Sequence, residues 1–293
     1  MRCDFIELPS FAKVNLGLWV LGEREDGYHE IVTVLQTVSL KDTIRMRRRE
    51  REIRVQTDSK DIPSGKDNIC YKAAKVFFER SALKEGVEIE IKKVIPVGRG
   101  LGGGSSNGTV TLMGLNILHS KPYDDDELRR LAAKIGSDTP FFVRGGTAIA
   151  RGRGEIIEEG PPSIPMFFLI YSPPFGISTT WAYRNLPPLT ERENVDIILR
   201  GIEEGDIEKI GRGLHNSFET LVYSRYPELR RVKEYMLEKG ACGALLSGSG
   251  SGIYGLFKDK KTATLALEDF PFEGRVWVVE SVNEREYRSY FGA

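Results

Sequence analysis

The sequence predicts an α+β protein made of two halves of comparable size. Segments with strand-like alternation and segments with helical spacing occur in both halves, and no internal repeat relates them. At 293 residues the chain is long enough for two domains. Gly160-Pro161-Pro162 is the best candidate boundary, so we expect one domain over residues 1–158 and a second over residues 159–293.

The first half predicts two strands, a helix and a third strand. Residues 4–21 and 31–40 have strand character, and the turn between them ends in Asp26-Gly27. A helix is expected over residues 68–80 with Asp67 as its N-cap. Residues 87–95 then alternate as a strand that leads into a glycine-rich segment.

The remaining elements follow the same signals. Helices are expected at about 106–119 and 126–135, the second ended by Gly136, followed by a glycine-rich hairpin that reaches residue 154. The second half predicts a strand over 166–171, a helix over 227–238 and a strand over 275–280. An apolar run rich in glycine, residues 241–257, lies between the last two.

Composition argues against a nucleic-acid or membrane partner. Lys plus Arg and Asp plus Glu both number 42, so no net field favours either. The basic run Arg45–Arg49 is offset by the acidic residues that follow, and we interpret residues 42–56 as the solvated face of a strand. No apolar run approaches eighteen residues, and Cys3, Cys70 and Cys242 lack metal-type spacing. We therefore expect a cytoplasmic protein with reduced cysteines.

Five glycines within seven residues form the most informative segment. Glycines leave backbone N–H groups uncovered, and the helix that follows presents further donors and a partial positive charge at its N-terminus. This pattern predicts a cradle for nucleotide phosphates. Its residues are Pro96, Val97, Gly98, Arg99, Gly100, Leu101, Gly102, Gly103, Gly104, Ser105 and Ser106.

Two other classes of glycine loop fit this segment less well. A dinucleotide-binding fold requires an acidic residue at the end of a second strand, whereas Asp124–Asp126 precede a helix. A P-loop requires Lys-Ser or Lys-Thr after the glycines, and neither follows. A flexible linker remains the third alternative.

Three isolated polar residues could carry chemistry. Lys13 and Asn15 are two apart in an apolar strand, so they share a face, which is either part of a site or the wet face of an edge strand. Asp138 follows a predicted helix end, where it is either a turn residue or a general base for a substrate hydroxyl.

Two turns offer possible ligand contacts. In Asp26-Gly27-Tyr28-His29, Tyr28 could stack on a base and His29 could bond to it; the alternative is a half-buried aromatic at a hairpin tip. The segment Leu246–Gly252, which includes Gly248, could close over phosphates or form only a tight hairpin.

Together these motifs resemble those of the GHMP kinase superfamily. Phe11–Leu16 is similar to the superfamily's P-A-K-x-N-L strand, Pro96–Ser106 to its phosphate motif, and Ser247–Ser251 to its C-terminal glycine motif. The resemblance implies a ribosomal-protein-S5-domain-2-like N-terminal domain and a ferredoxin-like C-terminal domain. It also implies ATP-dependent phosphorylation of a small alcohol, with Mg²⁺ as cofactor and no metal ligand identified in the chain.

Within the superfamily, Asp26–Glu30, Gly102–Asn107 and Gly136–Phe142 resemble the kinases that act on a cytidine-bearing sugar-alcohol diphosphate. That resemblance implies that Asp138 is the base and Lys13 its charged neighbour. It places the cytidine ring between Tyr28 and Tyr183, with His29 at its hydrogen-bonding edge. The adenine of ATP is expected beside Asn68 and Lys93, and the other expected substrate contacts are Asn15, Thr179 and Gly248.

Three positions depart from the superfamily pattern, and none removes a residue with a proposed chemical role. Phe11 replaces a proline, Gly108-Thr109 replaces Ala-Ala, and Arg99 stands where a small residue is usual, either touching a phosphate or pointing to solvent.

The competing functions are a kinase for another alcohol such as homoserine, and a catalytically silent nucleotide-binding regulator. An RNA-binding module is disfavoured by the balanced charge. We expect a small-molecule substrate and a monomer or weak homodimer.

Overall fold

The computed structural model describes residues 4–187 and 193–292. Within these ranges the chain forms eleven strands, ten α-helices and two short 3₁₀ turns, Gly65–Asp67 and Pro140–Val143. The strands are β1 (Phe5–Glu23), β2 (His29–Arg49), β3 (Ile53–Thr57), β4 (Gly86–Lys92), β5 (Thr147–Arg151), β6 (Ile156–Glu159), β7 (Phe167–Ser172), β8 (His215–Asn216), β9 (Gly243–Leu246), β10 (Ile253–Phe257) and β11 (Arg275–Glu280). The helices are α1 (Ile69–Ser81), α2 (Gly103–Leu118), α3 (Asp125–Ala133), α4 (Thr179–Asn185), α5 (Asp196–Glu204), α6 (Ile207–Gly213), α7 (Glu219–Arg225), α8 (Pro227–Glu238), α9 (Lys260–Glu268) and α10 (Glu284–Ser289).

The first sheet is built on the long hairpin of β1 and β2. Its strand order is β3-β4-β2-β1-β8, and β5 joins β2 beyond the end of β4, followed by β6. Helix α2 packs on β1 and β2, and α1 packs on α2. Buried apolar side chains of these strands and helices form one continuous core cluster.

The second sheet is antiparallel throughout, with strand order β11-β7-β10-β9. In chain order this is the 4-1-3-2 arrangement of the ferredoxin-like fold, with helices between the first and second strands and between the third and fourth. Helices α8 and α9 pack against this sheet. The predicted α+β class and the ferredoxin-like second half are therefore confirmed.

An apolar cluster joins the two sheets beside the strand that carries Lys13. Val14 and Leu16 of β1 pack in the same buried cluster as Phe168 and Tyr254 of the second sheet. The Tyr254 hydroxyl donates to the carbonyl oxygen of Asn15 over 2.8 Å. The first strand of the chain is thus held between the two halves, which fixes the position of its polar residues.

The prediction of a solvated strand face over residues 42–56 is wrong in its first part. Strand β2 continues to Arg49, and Asp42, Ile44 and Met46 are fully buried. The basic residues alternate with these positions, so Arg45 and Arg47 face outward while their neighbours face the core. The run of charged residues suggested solvent exposure, but every second side chain in this part of the strand is buried.

Two helix starts also differ from prediction. Helix α2 begins at Gly103, three residues earlier than expected, so the last glycines lie in its first turn. The N-cap of α1 is Asn68, whose side-chain oxygen accepts from the Cys70 amide, and not Asp67. The helix at residues 227–238 and the strand at residues 275–280 have the predicted bounds.

The departures at Phe11 and Gly108 have packing explanations. Phe11 is buried against Tyr287 and Tyr290 near the C-terminus, with ring centroids 5.7 and 5.4 Å away. A Cβ on Gly108 would lie 3.1 Å from Ile69 Cγ1, so glycine permits the close approach of α1 to α2.

Two further expectations concern cysteines and membranes. Cys70 and Cys242 are free thiols, and Cys3 lies outside the described residues. No helix within the described ranges is long and apolar enough to cross a bilayer.

Candidate active site

The paired polar residues of β1 lie in the interior of the protein, so the edge-strand alternative is wrong. Lys13 and Asn15 are each 3% exposed, and the Lys13 ammonium donates to Asn15 Oδ1 over 2.6 Å. Asn15 Nδ2 donates in turn to the Thr33 hydroxyl at 2.8 Å, which donates to the Gly17 carbonyl at 2.6 Å. This chain of bonds fixes the orientation of the asparagine and, through it, the ammonium group.

Asp138 completes the arrangement by approaching the Lys13 ammonium. Its Oδ2 lies 3.5 Å from Lys13 Nζ, and its side chain is 39% exposed, whereas that of Lys13 is 4% exposed. Burial lowers the pKa of Lys13, and the Asp138 carboxylate opposes part of that shift. The turn itself is held by Thr139, whose hydroxyl bonds to the carbonyls of Ala132 and Gly136, so Asp138 projects into the cleft.

The glycine segment curls back over β1 before it enters α2. Gly98, Gly100 and Gly102 all have φ near +70°, where other residues are strained. The Leu101 carbonyl accepts from the Lys13 amide at 3.0 Å, so the loop lies directly beside the lysine. A Cβ on Gly104 would meet open space, and the first-turn amides of α2 lack acceptors within the helix. The loop therefore presents donors suited to an anion next to Lys13.

The second glycine loop, which joins β9 to β10, packs against the first. A Cβ on Gly100 would lie 1.8 Å from the Ser247 carbonyl oxygen, and the Ser247 hydroxyl donates to the Gly100 carbonyl at 3.0 Å. Gly248 lies beside Gly100 in the same contact. Asn216 orders this second loop, because its Nδ2 donates to the carbonyls of Leu246 and Gly248. The segment is a hairpin that packs on the first glycine loop, and its contact with phosphates stays a prediction.

Arg99 has neither of the predicted orientations. Its guanidinium donates to the Pro173 carbonyl at 3.1 Å and to the Val97 carbonyl at 2.8 Å, and its own carbonyl accepts from the Gly252 amide. The side chain therefore ties the glycine loop to the second half of the protein.

A cleft of about 840 Å³ opens beside Asp138. It brings together most of the residues predicted for the acceptor. They are Tyr28, His29, Asp138, Thr179 and Tyr183, joined by Glu23, Gly27, Ile31, Ser137, Arg153, Thr180, Arg184 and Leu186.

Aromatic rings form the wall of this cleft. Tyr28 is 53% exposed at the hairpin tip, with the Arg153 guanidinium 4.7 Å from its ring centroid. The His29 ring lies 4.9 Å from that of Tyr183, which packs edge-on against Phe218 at 4.8 Å. Burial raises the pKa of Tyr183, so its hydroxyl stays protonated. The cleft thus offers planar surfaces and uncharged hydrogen-bonding groups beside two arginines.

The two residues expected at the adenine are already engaged within the protein. Asn68 is 2% exposed and bonds to the Cys70 amide and the Pro63 carbonyl. Lys93 pairs with Asp42 under the glycine loop, and its Nζ would lie 3.3 Å from a Cβ on Gly103. Lys93 is therefore adjacent to the cradle, and contact of either residue with adenine stays a prediction.

Two residues of the site, Arg153 and Asp42, are not predicted from the sequence. Arg153 follows a glycine and precedes another, which resembles an ordinary turn. Asp42 had a usable signal, because it shares the period-two spacing of the buried Ile44 and Met46, which alternate with outward-facing basic residues. Within the described residues, no group of three His, Cys, Asp or Glu side chains could by itself hold a metal ion.

The comparisons with known proteins agree with this geometry. The family models for the GHMP kinases N terminal domain and the GHMP kinases C terminal match residues 68–146 and 198–275, so fold and site define a kinase of the GHMP class. The 4-diphosphocytidyl-2-C-methyl-D-erythritol kinase of Alkaliphilus metalliredigens is 38% identical over 96% of this chain and 98% of its own length. The enzyme of that name from Geobacillus kaustophilus is 43% identical, covering 86% of this chain and 88% of its own. The chain belongs to the 4-diphosphocytidyl-2-C-methyl-D-erythritol kinase family.

Solved structures support the same assignment. A crystal structure of a 4-(cytidine 5'-diphospho)-2C-methyl-D-erythritol kinase matches with a TM-score of 0.83 and 34% identity, covering 94% of this chain and 99% of that one. Homoserine kinase from Cytophaga hutchinsonii matches with a TM-score of 0.80 and 20% identity, covering 98% and 97% of the two chains. The second likeness shows the shared fold alone.

Proposed function

We propose that this protein transfers the γ-phosphoryl group of ATP to the 2-hydroxyl of 4-diphosphocytidyl-2-C-methyl-D-erythritol, a step of the non-mevalonate route to isoprenoid precursors. One observation carries the proposal. The Lys13–Asp138 pair lies where the phosphate-binding loop meets an aromatic cleft large enough for a nucleotide-linked acceptor. The family to which the chain belongs supports the choice of acceptor.

The cleft suits the cytidine end of that acceptor. Tyr28 and Tyr183 supply rings on which a pyrimidine can stack, and each such stack contributes about 1–3 kcal/mol. His29 lies against Tyr183, so its ring nitrogens can reach the hydrogen-bonding edge of a base beside that tyrosine. Thr179 lines the same cleft and bonds to Ser249 of the second glycine loop, which places it between acceptor and cradle.

In the proposed reaction the acceptor hydroxyl oxygen attacks the γ-phosphorus and its proton passes to the Asp138 carboxylate. The bond between the γ-phosphorus and the β,γ-bridging oxygen breaks, and ADP leaves. The Lys13 ammonium lies 3.5 Å from Asp138 and offsets negative charge on the attacking oxygen. Asn15 keeps that ammonium at the reacting atoms.

The glycine loop and the N-terminus of α2 hold the nucleotide phosphates. The proposed hydrogen-bond donors are the backbone amides of Gly103, Gly104 and Ser105. The dipole of the helix adds a partial positive charge at the same terminus. A magnesium ion bound to phosphate oxygens would offset charge on the transferring group. Glu23 and Asp138 line the cleft, and carboxylates together with phosphates form a donor set that Mg²⁺ accepts.

The proposal is tested by measuring ATP-dependent turnover with three acceptors: the cytidylyl compound, homoserine and mevalonate. We expect kcat/KM for the cytidylyl acceptor to exceed the others by at least about 10⁴-fold, because the polar groups of the cleft would be left unpaired by acceptors without a base. Preference for homoserine would favour the homoserine-type alternative. Absence of turnover with every acceptor, in a protein that binds ATP, would favour the silent regulator.

Arg153 provides a test of the acceptor cleft. Its guanidinium, 4.7 Å from the Tyr28 ring centroid, can hold that ring and attract the acceptor's diphosphate. Arg153→Met is expected to raise KM for the cytidylyl acceptor at least about tenfold and to leave KM for ATP within about twofold, since a lost charge-assisted bond costs about 1.5–3 kcal/mol. Steady-state kinetics with each substrate varied in turn measures both constants.

Arg151→Met is the matched control, because Arg151 lies two residues away and pairs with Glu158 and Glu193. It should change neither constant by more than about twofold. An Arg153 variant that raises both KM values equally would contradict a role at the acceptor.

A further inference from the structure

Both ends of the glycine loop are bound to one buried carboxylate, that of Asp42 on β2. At the entry, Asp42 Oδ1 accepts from the amides of Val94 and Ile95 at 2.7 and 2.8 Å. At the exit, Asp42 Oδ2 accepts from Asn107 Nδ2 at 2.9 Å. Lys93 Nζ donates to the same Oδ2. One side chain therefore closes the base of the loop that runs from residue 96 to residue 106.

A second layer of bonds extends this closure to the first turns of α2. Asn107 Nδ2 also donates to the Ser10 hydroxyl at 2.8 Å, and that hydroxyl donates to Ser106 Oγ at 2.8 Å. Asp42, Ser10 and Ser106 are 0% exposed and Asn107 is 1% exposed. Because buried polar groups that lose a partner are costly, this network permits one arrangement of the loop base and disfavours others.

We propose that Asp42 is a positioning residue for the nucleotide, which fixes the spacing between the entry and exit of the glycine loop so that the amides of the loop converge on the phosphates. Asp42 lies beneath the loop and its oxygens are occupied by the loop's own donors, so it acts through the backbone it holds. A preformed cradle binds phosphate without having to order its backbone first, and loss of the carboxylate transfers that ordering cost to nucleotide binding.

Asp42→Asn tests this role with little change in shape. The remaining oxygen can still accept from Val94 and Ile95, but the new NH₂ group faces the donors of Asn107 and Lys93. The exit of the loop is thereby released. We expect the Kd for MgADP, measured by calorimetry without acceptor, to rise at least about tenfold, and KM for the acceptor to change less than about twofold.

Asn107→Ala removes the exit bond by another route and keeps the Asp42–Lys93 pair. It should weaken MgADP binding to a similar extent, and Asp42→Asn combined with Asn107→Ala should be no weaker than the worse single variant. Additive losses in the double variant would overturn the proposal. Normal MgADP affinity in Asn107→Ala would also overturn the proposal. This second variant keeps the test decisive if Asp42→Asn fails to fold.

Asn116→Ala is the control for nonspecific destabilisation. Asn116 is buried in the same helix, and its side chain bonds twice to the backbone of Tyr123, far along α2 from the loop. The control should lower Tm as much as the Asp42 and Asn107 variants while leaving the MgADP Kd unchanged. If it weakens MgADP equally, Asp42 has only a structural role.

This inference rests on the proposed function only in taking a nucleotide as the ligand of the loop. The two can fail separately, because MgADP affinity is measured without acceptor. Wild-type protein that binds MgADP but does not phosphorylate the cytidylyl acceptor would refute the proposed function and leave the test of Asp42 intact.

Discussion

Asp138→Asn is expected to lower kcat by about 10²–10⁴-fold while leaving the Kd for MgATP within about twofold. The amide keeps the size of the side chain but cannot take the proton of the acceptor hydroxyl. Asp138 lies 3.5 Å from Lys13 at the edge of the acceptor cleft and is absent from the contacts of the glycine loop, so the loss should fall on the chemical step. Single-turnover kinetics and calorimetry with MgATP separate the two quantities.

Asp124→Asn is the control for this substitution. Asp124 caps α3 by accepting from the Glu127 amide, a role that asparagine fills equally well, so activity should be unchanged. An Asp138→Asn variant that kept more than about a tenth of wild-type kcat would exclude Asp138 as the base.

Lys13→Met is expected to lower kcat by about 10²–10³-fold without lowering Tm. The lost activity follows from removal of the cation beside the attacking oxygen. Stability should be kept because burial of the ammonium is the largest influence on the pKa of Lys13 and exceeds the opposing attraction of Asp138. Asp138 is partly exposed, so water can solvate its charge in the variant. Activity assays and thermal denaturation give the two results.

The pH dependence of the free energy of unfolding shows whether the buried Lys13 charge destabilises the fold. The folded-state pKa of Lys13 is below its unfolded value, so between the two values the unfolded chain binds the extra proton. Wild-type stability therefore rises with pH through that window, and the cost of the buried charge is fully present below it. The advantage of Lys13→Met should be largest below that window and should shrink as the pH rises through it. A marked fall in Tm at neutral pH would contradict this account.

The double variant Lys13→Met, Asp138→Asn tests whether the pair acts as a unit. Its kcat should be about that of the worse single variant, because each substitution already disables the proton transfer that the other group assists. Multiplied losses would mean that the two residues contribute independently.

The parts of the fold that could be predicted are those with clean local patterns. The helix at residues 227–238 shows regular spacing between a proline and a glycine, and the strand at residues 275–280 is a short apolar run between two charged residues. The start of α2 could not be predicted in this way, because glycine is a poor helix former. Gly103 is helical since its missing side chain admits Ile95 and since Ser106 is bonded to Ser10, both contacts from outside the helix.

The predicted site shows the same division. The spacing of Lys13 and Asn15 placed both on one face, and the ammonium does bond to the amide oxygen. The ties made by Arg99 and Asp42 join segments 74 and 65 residues apart, and local patterns carry no information on such partners. For Asp42, the run of basic neighbours led to a prediction of solvent exposure, although the period-two alternation of β2 predicts a buried side chain.

The bond from Tyr254 to Asn15 has a consequence for synthesis of the protein. Asn15 leaves the ribosome before the tyrosine that fixes it, which follows 239 residues later. Ser247 of the second glycine loop, which bonds to Gly100, is also made 147 residues after its partner. A nascent chain that has not reached β9 therefore holds Asn15 without Tyr254 and the glycine loop without Ser247. Kinase activity should appear only when synthesis has passed β10.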